Sequence, residues 1–163
     1  MSEQEWFAQL PTLYAAAAAL FTDQDGRVLL VKPNYRDHWS LPGGILEQGE
    51  PPHIGCAREV AEEIGLTITA ERLLTVDWVA PDGVRPKPIV HFVFDGGTLD
   101  PARIDQIVLQ TEELDDFRFT GTYDDLLPPP LFDRVTASLR ARNSAGPSAY
   151  LPHALSSRSC PWD

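Results

Sequence analysis

The stretch that decides the fold is Gly44-Ile-Leu-Glu-Gln-Gly-Glu50-Pro-Pro-His-Ile-Gly-Cys-Ala-Arg58-Glu59-Val-Ala-Glu62-Glu63-Ile-Gly65-Leu66. It begins as a glycine loop. The two prolines are typical of a helix start, where a missing N–H costs nothing, and Gly65 is typical of a helix end. The spacing predicts a helix over residues 53–64. Its apolar stripe, which needs a core to pack against, consists of Ala57, Val60, Ala61 and Ile64.

Four carboxylates of this stretch lie on the predicted helix or near its start. Glu59, Glu62 and Glu63 fall at i, i+3 and i+4, where like charges repel and destabilise a helix. Arg58 neutralises part of that charge, and Glu50 adds a further carboxylate near the helix start. Mg²⁺ or Mn²⁺ would balance the remainder, since hard cations prefer carboxylate oxygens. The alternative is a solvated acidic face, which charge runs usually are.

The stretch resembles the Nudix box at every defined position. The preceding Trp39-Ser-Leu-Pro-Gly-Gly and the alternating strands that follow extend the resemblance over roughly residues 12–140. The resemblance implies a Nudix-type α/β/α sandwich with a mixed β-sheet. It also implies a hydrolase that uses Mg²⁺ or Mn²⁺ and water to cleave a nucleoside diphosphate linked to another group. The matching positions are Gly44, Glu50, Arg58, Glu59, Val60, Glu62, Glu63, Gly65 and Leu66.

The resemblance also implies roles for individual residues. Glu59 and Glu63 would be the main metal ligands, with Glu62 as a further ligand or a supporting group. The Gly43 carbonyl would be a backbone ligand. Glu50 would be a supporting ligand or base, and Arg58 would orient a carboxylate.

The substrate is less defined than the chemistry. Pro81 lies at a position that resembles a feature of the subgroup that cleaves ADP-ribose. A nucleotide sugar and a nucleoside triphosphate fit the sequence equally well. A second class of function is a non-catalytic sensor or regulator on the same fold that binds nucleotides without cleaving them, although the intact box argues against it.

Composition limits the partners. At 163 residues and 43% hydrophobic, the chain predicts one domain over residues 1–143 followed by a tail, 144–163. The net charge of −11 argues against binding to nucleic acid or an anionic membrane. The acidic start lacks the basic residues of a secretory signal, so we expect a cytoplasmic protein with a small-molecule partner. A homodimer is possible. Cys56 and Cys160 have no metal-ligand spacing.

The rest of the chain predicts a sheet. Strands are expected over residues 14–22 and 27–32, as a hairpin, and over 67–70, 72–80 and 89–94, with a weak strand near 107–110. A final helix is expected over Leu131 to Arg142. The tail shows no strong periodicity, so we expect it to be loosely held or to drape on a neighbour.

Two loops offer substrate contacts. Arg36 and Trp39, in the loop before the box, are candidates for binding a base or a phosphate. The alternative for Trp39 is packing under the glycine loop. Arg85 and Lys87, in the loop over residues 81–88, are scarce positive charges that could meet substrate phosphates. The alternative for them is a solvated hairpin tip.

An acidic loop at Glu112 and Glu113 precedes a short strand. It resembles the segment that supplies an extra base or ligand in some Nudix proteins, which makes Glu112 or Glu113 a candidate. A capping or solvated role is the alternative. His53 and His91 are interpreted as ordinary polar residues.

Overall fold

A computed structural model of the chain describes residues 1–153, and their fold is a mixed sheet between two helical layers. The predicted α/β/α sandwich is confirmed. Seven strands share the sheet in the order β6-β2-β1-β5-β4-β7, and β3 pairs with β1 beside this path. The elements are α1 (Glu3–Ala8), β1 (Tyr14–Asp23), β2 (Val28–Pro33), β3 (Gly43–Ile45), α2 (Pro52–Ile64), β4 (Leu73–Val79), β5 (Ile89–Leu99), α3 (Pro101–Ile104), β6 (Leu114–Thr120), α4 (Pro129–Asn143) and β7 (Ala149–His153).

Strand β1 is the interior strand that the others adjoin. It runs parallel to β5 and antiparallel to β2 and β3. In the pairing with β3, Ala16 lies opposite Ile45 and Ala18 opposite Gly43. Five consecutive alanines favour a helix locally, but burial between neighbouring strands overrides that weak preference. Their small side chains also let other groups approach both faces of β1.

The two faces of the sheet carry separate cores. Helix α2 covers one face, where Val60 and Ile64 are fully buried against Phe21 and Leu29. Helix α4 covers the other face, where Val135 packs with residues that include Leu20, Leu30, Leu74 and Val93.

Helix α2 has the predicted limits within one residue. It begins at Pro52 and ends where Gly65 takes a left-handed conformation, φ 72°. The predicted apolar stripe is wrong at Ala61, which is exposed. Cys56 is buried instead, because Cys56, Val60 and Ile64 recur every four residues and turn that side of the helix toward the sheet.

Two predicted strands are absent from the described residues. Residues 67–70 belong to no strand, and neither do residues 107–110. The second segment runs along the end of α2 instead. There the Val108 N–H donates to the Ile64 carbonyl at 3.0 Å and the Gln110 N–H to the Glu63 carbonyl at 2.9 Å. Carbonyls left free at a helix end explain this pairing better than any strand propensity.

Four elements were not predicted: α1, β3, the short helix α3 and β7. Helix α1 has a capping box between Ser2 and Glu5 and buries no residue. Strand β3 converts part of the glycine loop into a sheet segment. Strand β7 lies in the tail, which therefore differs from the expected loose segment as far as His153, because it pairs in parallel with β4. The domain boundary at residue 143 stays a prediction, and Cys160 lies outside the described residues.

Helix α4 is fixed to β4 by two polar bridges. Thr75 and Ser138 share a hydrogen bond of 2.7 Å between their hydroxyls, and the Arg134 Nε donates to Asp77 at 2.7 Å. One helical turn on α4 matches a two-residue step on β4. The observed helix extends the predicted range of 131–142 by two residues at its start and one at its end. Within residues 1–153, no helix is long and apolar enough to cross a bilayer.

Replacing Val60 with alanine should lower the free energy of unfolding by about 2 kcal/mol, because the valine side chain is fully buried and its loss leaves a cavity. The matched control is Val84→Ala at a residue that is 95% exposed, where we expect almost no change. Urea denaturation in chelator measures both. Equal losses in the two variants would contradict the assignment of Val60 to the core.

Candidate functional site

Arg58 is the centre of the acidic cluster. Its Nε and Nη2 bind the two carboxylate oxygens of Glu50 at 2.9 and 3.0 Å. Its Nη1 donates to Glu59 at 2.9 Å and to Glu62 at 3.1 Å. One guanidinium thus contacts three of the four carboxylates that the sequence places in this region. The hydrogen bonds from Arg58 lower the pKa of Glu50 to about 2, so this carboxylate is fixed in its charged form.

Glu63 is the carboxylate that Arg58 does not contact. Its side chain is buried, with the residue 6% exposed, and its Oε2 accepts a hydrogen bond of 2.7 Å from the Gly43 N–H. Burial, with the nearby charges of Glu59 and Glu113, raises the pKa of Glu63 to about 8. The Gly43 hydrogen bond and the charge of Arg36 act in the opposite direction. In the metal-free protein the carboxyl is therefore largely protonated at neutral pH.

The glycine pair of β3 makes room for these side chains. Gly43 has a φ of 149°, and a Cβ there would collide with the backbone of β1 at Ala17 and Ala18. A Cβ on Gly44 would lie 2.5 Å from the Glu59 Oε2. Both positions therefore require glycine. Burial also raises the pKa of Glu59 against the opposing effect of Arg58.

The donor set fits a hard divalent cation. Within residues 1–153, no three acidic, histidine or cysteine side chains are already gathered as a metal cage. However, Glu63 is a buried carboxyl to which no basic side chain of the described part of the chain is bound, and the charge of the half-buried Glu59 also raises its pKa. Carboxylate and carbonyl oxygens are what Mg²⁺ and Mn²⁺ prefer. Glu62 is further out, with a side chain that is 57% exposed. The predicted ligand set stays a prediction.

The loop at Glu113 lies near the same carboxylates. The charge of Glu113 contributes to the raised pKa of both Glu59 and Glu63. Asn34, at the end of β2, holds this loop by donating from its backbone N–H to the Glu113 carbonyl at 2.9 Å and from its side chain to the Glu112 carbonyl at 2.7 Å. The structure therefore brings the loop that carries Glu113 toward α2.

Arg36 and Trp39 are in different surroundings. Arg36 is exposed, lies 5.2 Å from the centre of the Tyr35 ring, and contributes positive charge near Glu63. Trp39 is only 9% exposed and packs in the core beneath α4. Arg118 lies 4.7 Å from the centre of its ring. The indole therefore has the packing role that was the alternative to base binding.

Arg85 and Lys87 belong to the loop between β4 and β5. Arg85 donates to the Ala80 carbonyl at 2.6 Å and pairs with Asp82 at 3.3 Å. Lys87 lies 5.8 Å from the centre of the Tyr14 ring. These contacts hold the loop together and do not join either residue to the acidic cluster. Their contact with substrate phosphates stays a prediction.

Sequence reasoning missed a polar group on the α4 face. Asp77 is fully buried and binds both Arg134 and His153. The position of Asp77 inside the predicted strand 72–80 could have indicated a buried carboxylate that needs a partner. No local sequence feature identifies Arg134 or His153 as that partner. His91 is also less ordinary than expected, because burial and the charges of nearby arginines lower its pKa to about 3.

Comparison with known proteins agrees with this architecture. The family model of the NUDIX domain matches residues 12–139. This chain belongs to the NUDIX family. The match covers the sheet from before β1 to near the end of α4, together with the glycine loop and the acidic helix.

Two curated relatives and one solved structure illustrate the similarity. A MutT-like protein of Streptomyces ambofaciens is 36% identical over 76 residues, which are 47% of this chain and 49% of the relative. An ADP-ribose pyrophosphatase of Mycobacterium tuberculosis is 38% identical over 66 residues, 37% of this chain and 32% of the relative. The chain thus spans half or less of the length of these relatives. The crystal structure of a MutT protein from Methanosarcina mazei Go1 has a TM-score of 0.64 at 23% identity, covering 82% of this chain and 96% of that one, which shows the shared fold.

Replacing Glu63 with glutamine should stabilise the metal-free NUDIX domain at pH 8.5 more than at pH 5. Well below the ordinary pKa of 4.5, the carboxyl is protonated in both folded and unfolded chains. Between 4.5 and about 8 the unfolded chain loses the proton first, so the fold loses stability as the pH rises. The full loss is on the order of 5 kcal/mol. The amide keeps an oxygen for the Gly43 N–H.

Thermal unfolding in chelator at both pH values measures this difference. Glu71→Gln, at an exposed residue, controls for removing one negative charge from an acidic protein. An E63Q advantage of the same size at pH 5 and pH 8.5 would show that Glu63 is ionised throughout.

Replacing Gly44 with alanine should weaken binding of Mg²⁺, because the added methyl group displaces the Glu59 carboxylate. We expect the rise in melting temperature caused by Mg²⁺ to shrink in this variant, since only bound metal stabilises the folded state. Gly83→Ala is the matched control, because a Cβ there meets no atom within 4 Å. An unchanged Mg²⁺ response in G44A would remove Glu59 from the ligand set.

Proposed function

We propose that this chain hydrolyses a pyrophosphate bond in a nucleoside diphosphate derivative, with Mg²⁺ or Mn²⁺ held at the junction of β3 and α2. The products would be a nucleoside monophosphate and a phosphorylated remainder. The observation that carries the proposal is the contrast within the acidic cluster. Three carboxylates share one guanidinium, while no basic side chain of residues 1–153 forms an ion pair with Glu63, which is buried beside the glycine pair.

The metal would lie between Glu59 and Glu63, with the Gly43 carbonyl as a backbone ligand and Glu62 as an outer one. When bound, it neutralises phosphate oxygens and lowers the pKa of coordinated water. Arg58 would fix the direction of Glu59 by its hydrogen bond at 2.9 Å. Burial of Glu63 supports this assignment, because a cation would offset the cost of burying the charged carboxylate, which together with the charges of Glu59 and Glu113 raises its pKa.

Two carboxylates compete for the role of general base. Glu50 has a pKa near 2 because both of its oxygens bind Arg58, and a carboxylate held so firmly is a weak base. Glu113 has no ion-pair partner among residues 1–153, and its charge acts on both proposed ligands. We assign Glu113 the base role and Glu50 the role of holding Arg58 in place.

The substrate class follows from the family and remains broad. The relative from Mycobacterium tuberculosis carries the name of an ADP-ribose pyrophosphatase, and ADP-ribose, nucleotide sugars and nucleoside triphosphates all contain the bond in question. An anionic substrate must approach a chain of net charge −11. A bound divalent cation and Arg36 would supply the positive charge that this approach needs.

A product screen tests the reaction. The full chain is incubated with Mg²⁺ or Mn²⁺ and with ADP-ribose, nucleotide sugars, dinucleotides and nucleoside triphosphates, and products are identified by mass. Reaction in ¹⁸O-labelled water should place the label on a phosphate. Release of a nucleoside monophosphate from any class supports the proposal. Binding of nucleotides without turnover of any of them would instead support a sensor.

Replacing Glu59 or Glu63 with glutamine should lower kcat/KM by at least about 100-fold, because each change removes a charged ligand from the metal. Both variants should remain folded in chelator. Glu71→Gln is the matched control and should retain the wild-type rate. A Glu63 variant within a factor of a few of the wild type would contradict its role as a ligand.

A further inference from the structure

A buried polar network lies on the face of the sheet opposite α2. Asp77 on β4 is fully buried, and each of its oxygens has a separate partner. The Arg134 Nε of α4 donates to Oδ2 at 2.7 Å, and the His153 Nδ1 of β7 lies 2.6 Å from Oδ1. The other ring nitrogen of His153 lies 3.3 Å from Asp133. The carboxylate of Asp77 is therefore held on both sides, and it holds Arg134 in turn.

Arg134 has donors to spare. The residue is 8% exposed, yet among residues 1–153 only its Nε has a hydrogen-bond partner. Its two Nη groups carry four N–H donors in a fixed fork. Neither Nη nitrogen is among the fully buried side-chain atoms that lack a partner, so the fork is open to an approaching acceptor. A ligand with two adjacent acceptors fits that fork.

His91 lies in one row of paired residues across the sheet, together with Asp77 on β4 and Ala16 on β1. It is opposite Asp77 in the β4–β5 pairing and opposite Ala16 in the β1–β5 pairing, so all three residues point to the α4 face. Burial, followed by the charges of Arg134, Arg85 and Arg36, keeps its imidazole neutral at pH 7. A neutral imidazole offers one donor and one acceptor. No hydrogen bond within residues 1–153 occupies either.

The row lies within reach of the proposed metal site. Ala16 pairs with His91 on one side and with Ile45 on the other, and Ala18 pairs with Gly43, which binds Glu63. Two strand spacings and two residues along a strand separate His91 from Gly43, which is about 12 Å between Cα atoms. That span suits a nucleoside with its phosphate. The small alanine side chains of β1 leave space above this face of the sheet, since Ala18 remains partly accessible although β1 is an interior strand.

The charges around Arg134 select the kind of ligand. Asp77 already compensates the charge of Arg134, and Asp82 pairs with Arg85 at 3.3 Å. This part of the α4 face thus offers N–H donors without a matching excess of positive charge. A second anion would leave a buried negative charge unbalanced, whereas a neutral carbonyl edge would satisfy the donors at no charge imbalance. An amino group of a ligand in the same place would direct its N–H donors at the N–H donors of Arg134 and could not form a hydrogen bond with them.

We infer that Arg134, with His91, selects nucleotides whose base presents carbonyl acceptors, such as guanine or uracil, over adenine. The inference rests on the proposed function, because it places the base of that substrate on the α4 face while its phosphates reach the metal. Guanine offers two acceptors side by side to an arginine fork. Uracil offers a carbonyl to Arg134 and an N–H to His91. Adenine presents an amino group where the fork needs an acceptor.

Strand β7 contributes a positioning residue. His153 contacts Asp77 rather than the ligand, so it acts on base selection through the orientation of Arg134. Residues of one network are energetically coupled, and a double-mutant cycle detects this. The effects of His153→Ala and Arg134→Lys on base preference should therefore be less than additive.

Binding of GMP, UMP and AMP to the full chain tests the inference without requiring turnover. Protein NMR titrations with Mg²⁺ should give dissociation constants for GMP and UMP at least roughly tenfold below that for AMP, as expected for one good bidentate contact. Arg134→Lys keeps the charge but removes the fork, and should bring the three constants together. Arg140→Lys, on the exposed side of α4, is the matched control and should keep the preference.

Equal binding of the three nucleotides to the wild type would overturn the inference, and so would a preference that survives in R134K. If R134K is unfolded, Asp77→Asn combined with Arg134→Gln removes both buried charges together, and it should also lose the preference. Hydrolysis of GDP-, UDP- and ADP-glucose then separates the two proposals. A GMP and UMP preference without turnover of any substrate refutes the hydrolase proposal alone. Turnover with equal nucleotide binding refutes base selection alone.

Discussion

The guanidinium of Arg58 holds together carboxylates that would otherwise repel one another on a single turn of helix. It binds Glu50 through two hydrogen bonds and also contacts Glu59 and Glu62. Because all these groups are anchored to α2 or its entrance, the helix start, the glycine loop and the acidic surface form one rigid unit. Glu63 is left outside this arrangement, and its burial concentrates the unbalanced electrostatic strain at a single point beside Gly43.

Local sequence signals predicted most of the fold because they describe local physics. Proline at the start and glycine at the end predicted the limits of α2. Continuous apolar runs located β1 and β2, and alternating or β-branched residues located β4 and β5. The elements that were missed depend on distant partners. Strand β7 exists through its parallel pairing with β4, and β3 exists because glycines fit against β1. The expected strand near 107–110 instead satisfies carbonyls at the end of α2.

The candidate site also has a part that local sequence signals predicted and a part that they did not. Its carboxylates lie within one short stretch, so their spacing revealed the cluster, and the family match agrees with that interpretation. The α4 face depends on residues far apart in the chain. Asp77 and Arg134 are 57 positions apart, and Asp77 and His153 are 76 apart, so no local pattern links them. For Trp39 the local signal was present but ambiguous, because an aromatic residue in a loop is equally consistent with stacking on a ligand and with packing in a core.

The all-alanine segment of β1 lies between the places of the two functions that we propose, metal-dependent cleavage and base recognition. On one side of this thin strand lies the helix with the carboxylates, and on the other lies the polar network of α4 and β7. Side chains on the two faces do not share a core, so a substitution in one layer need not disturb packing in the other. Descendants of such a scaffold can diverge in what they recognise through α4 and the end of the chain, while the layer that carries the acidic helix stays constant. Under these proposals, substitutions can therefore change recognition and reactivity independently of each other.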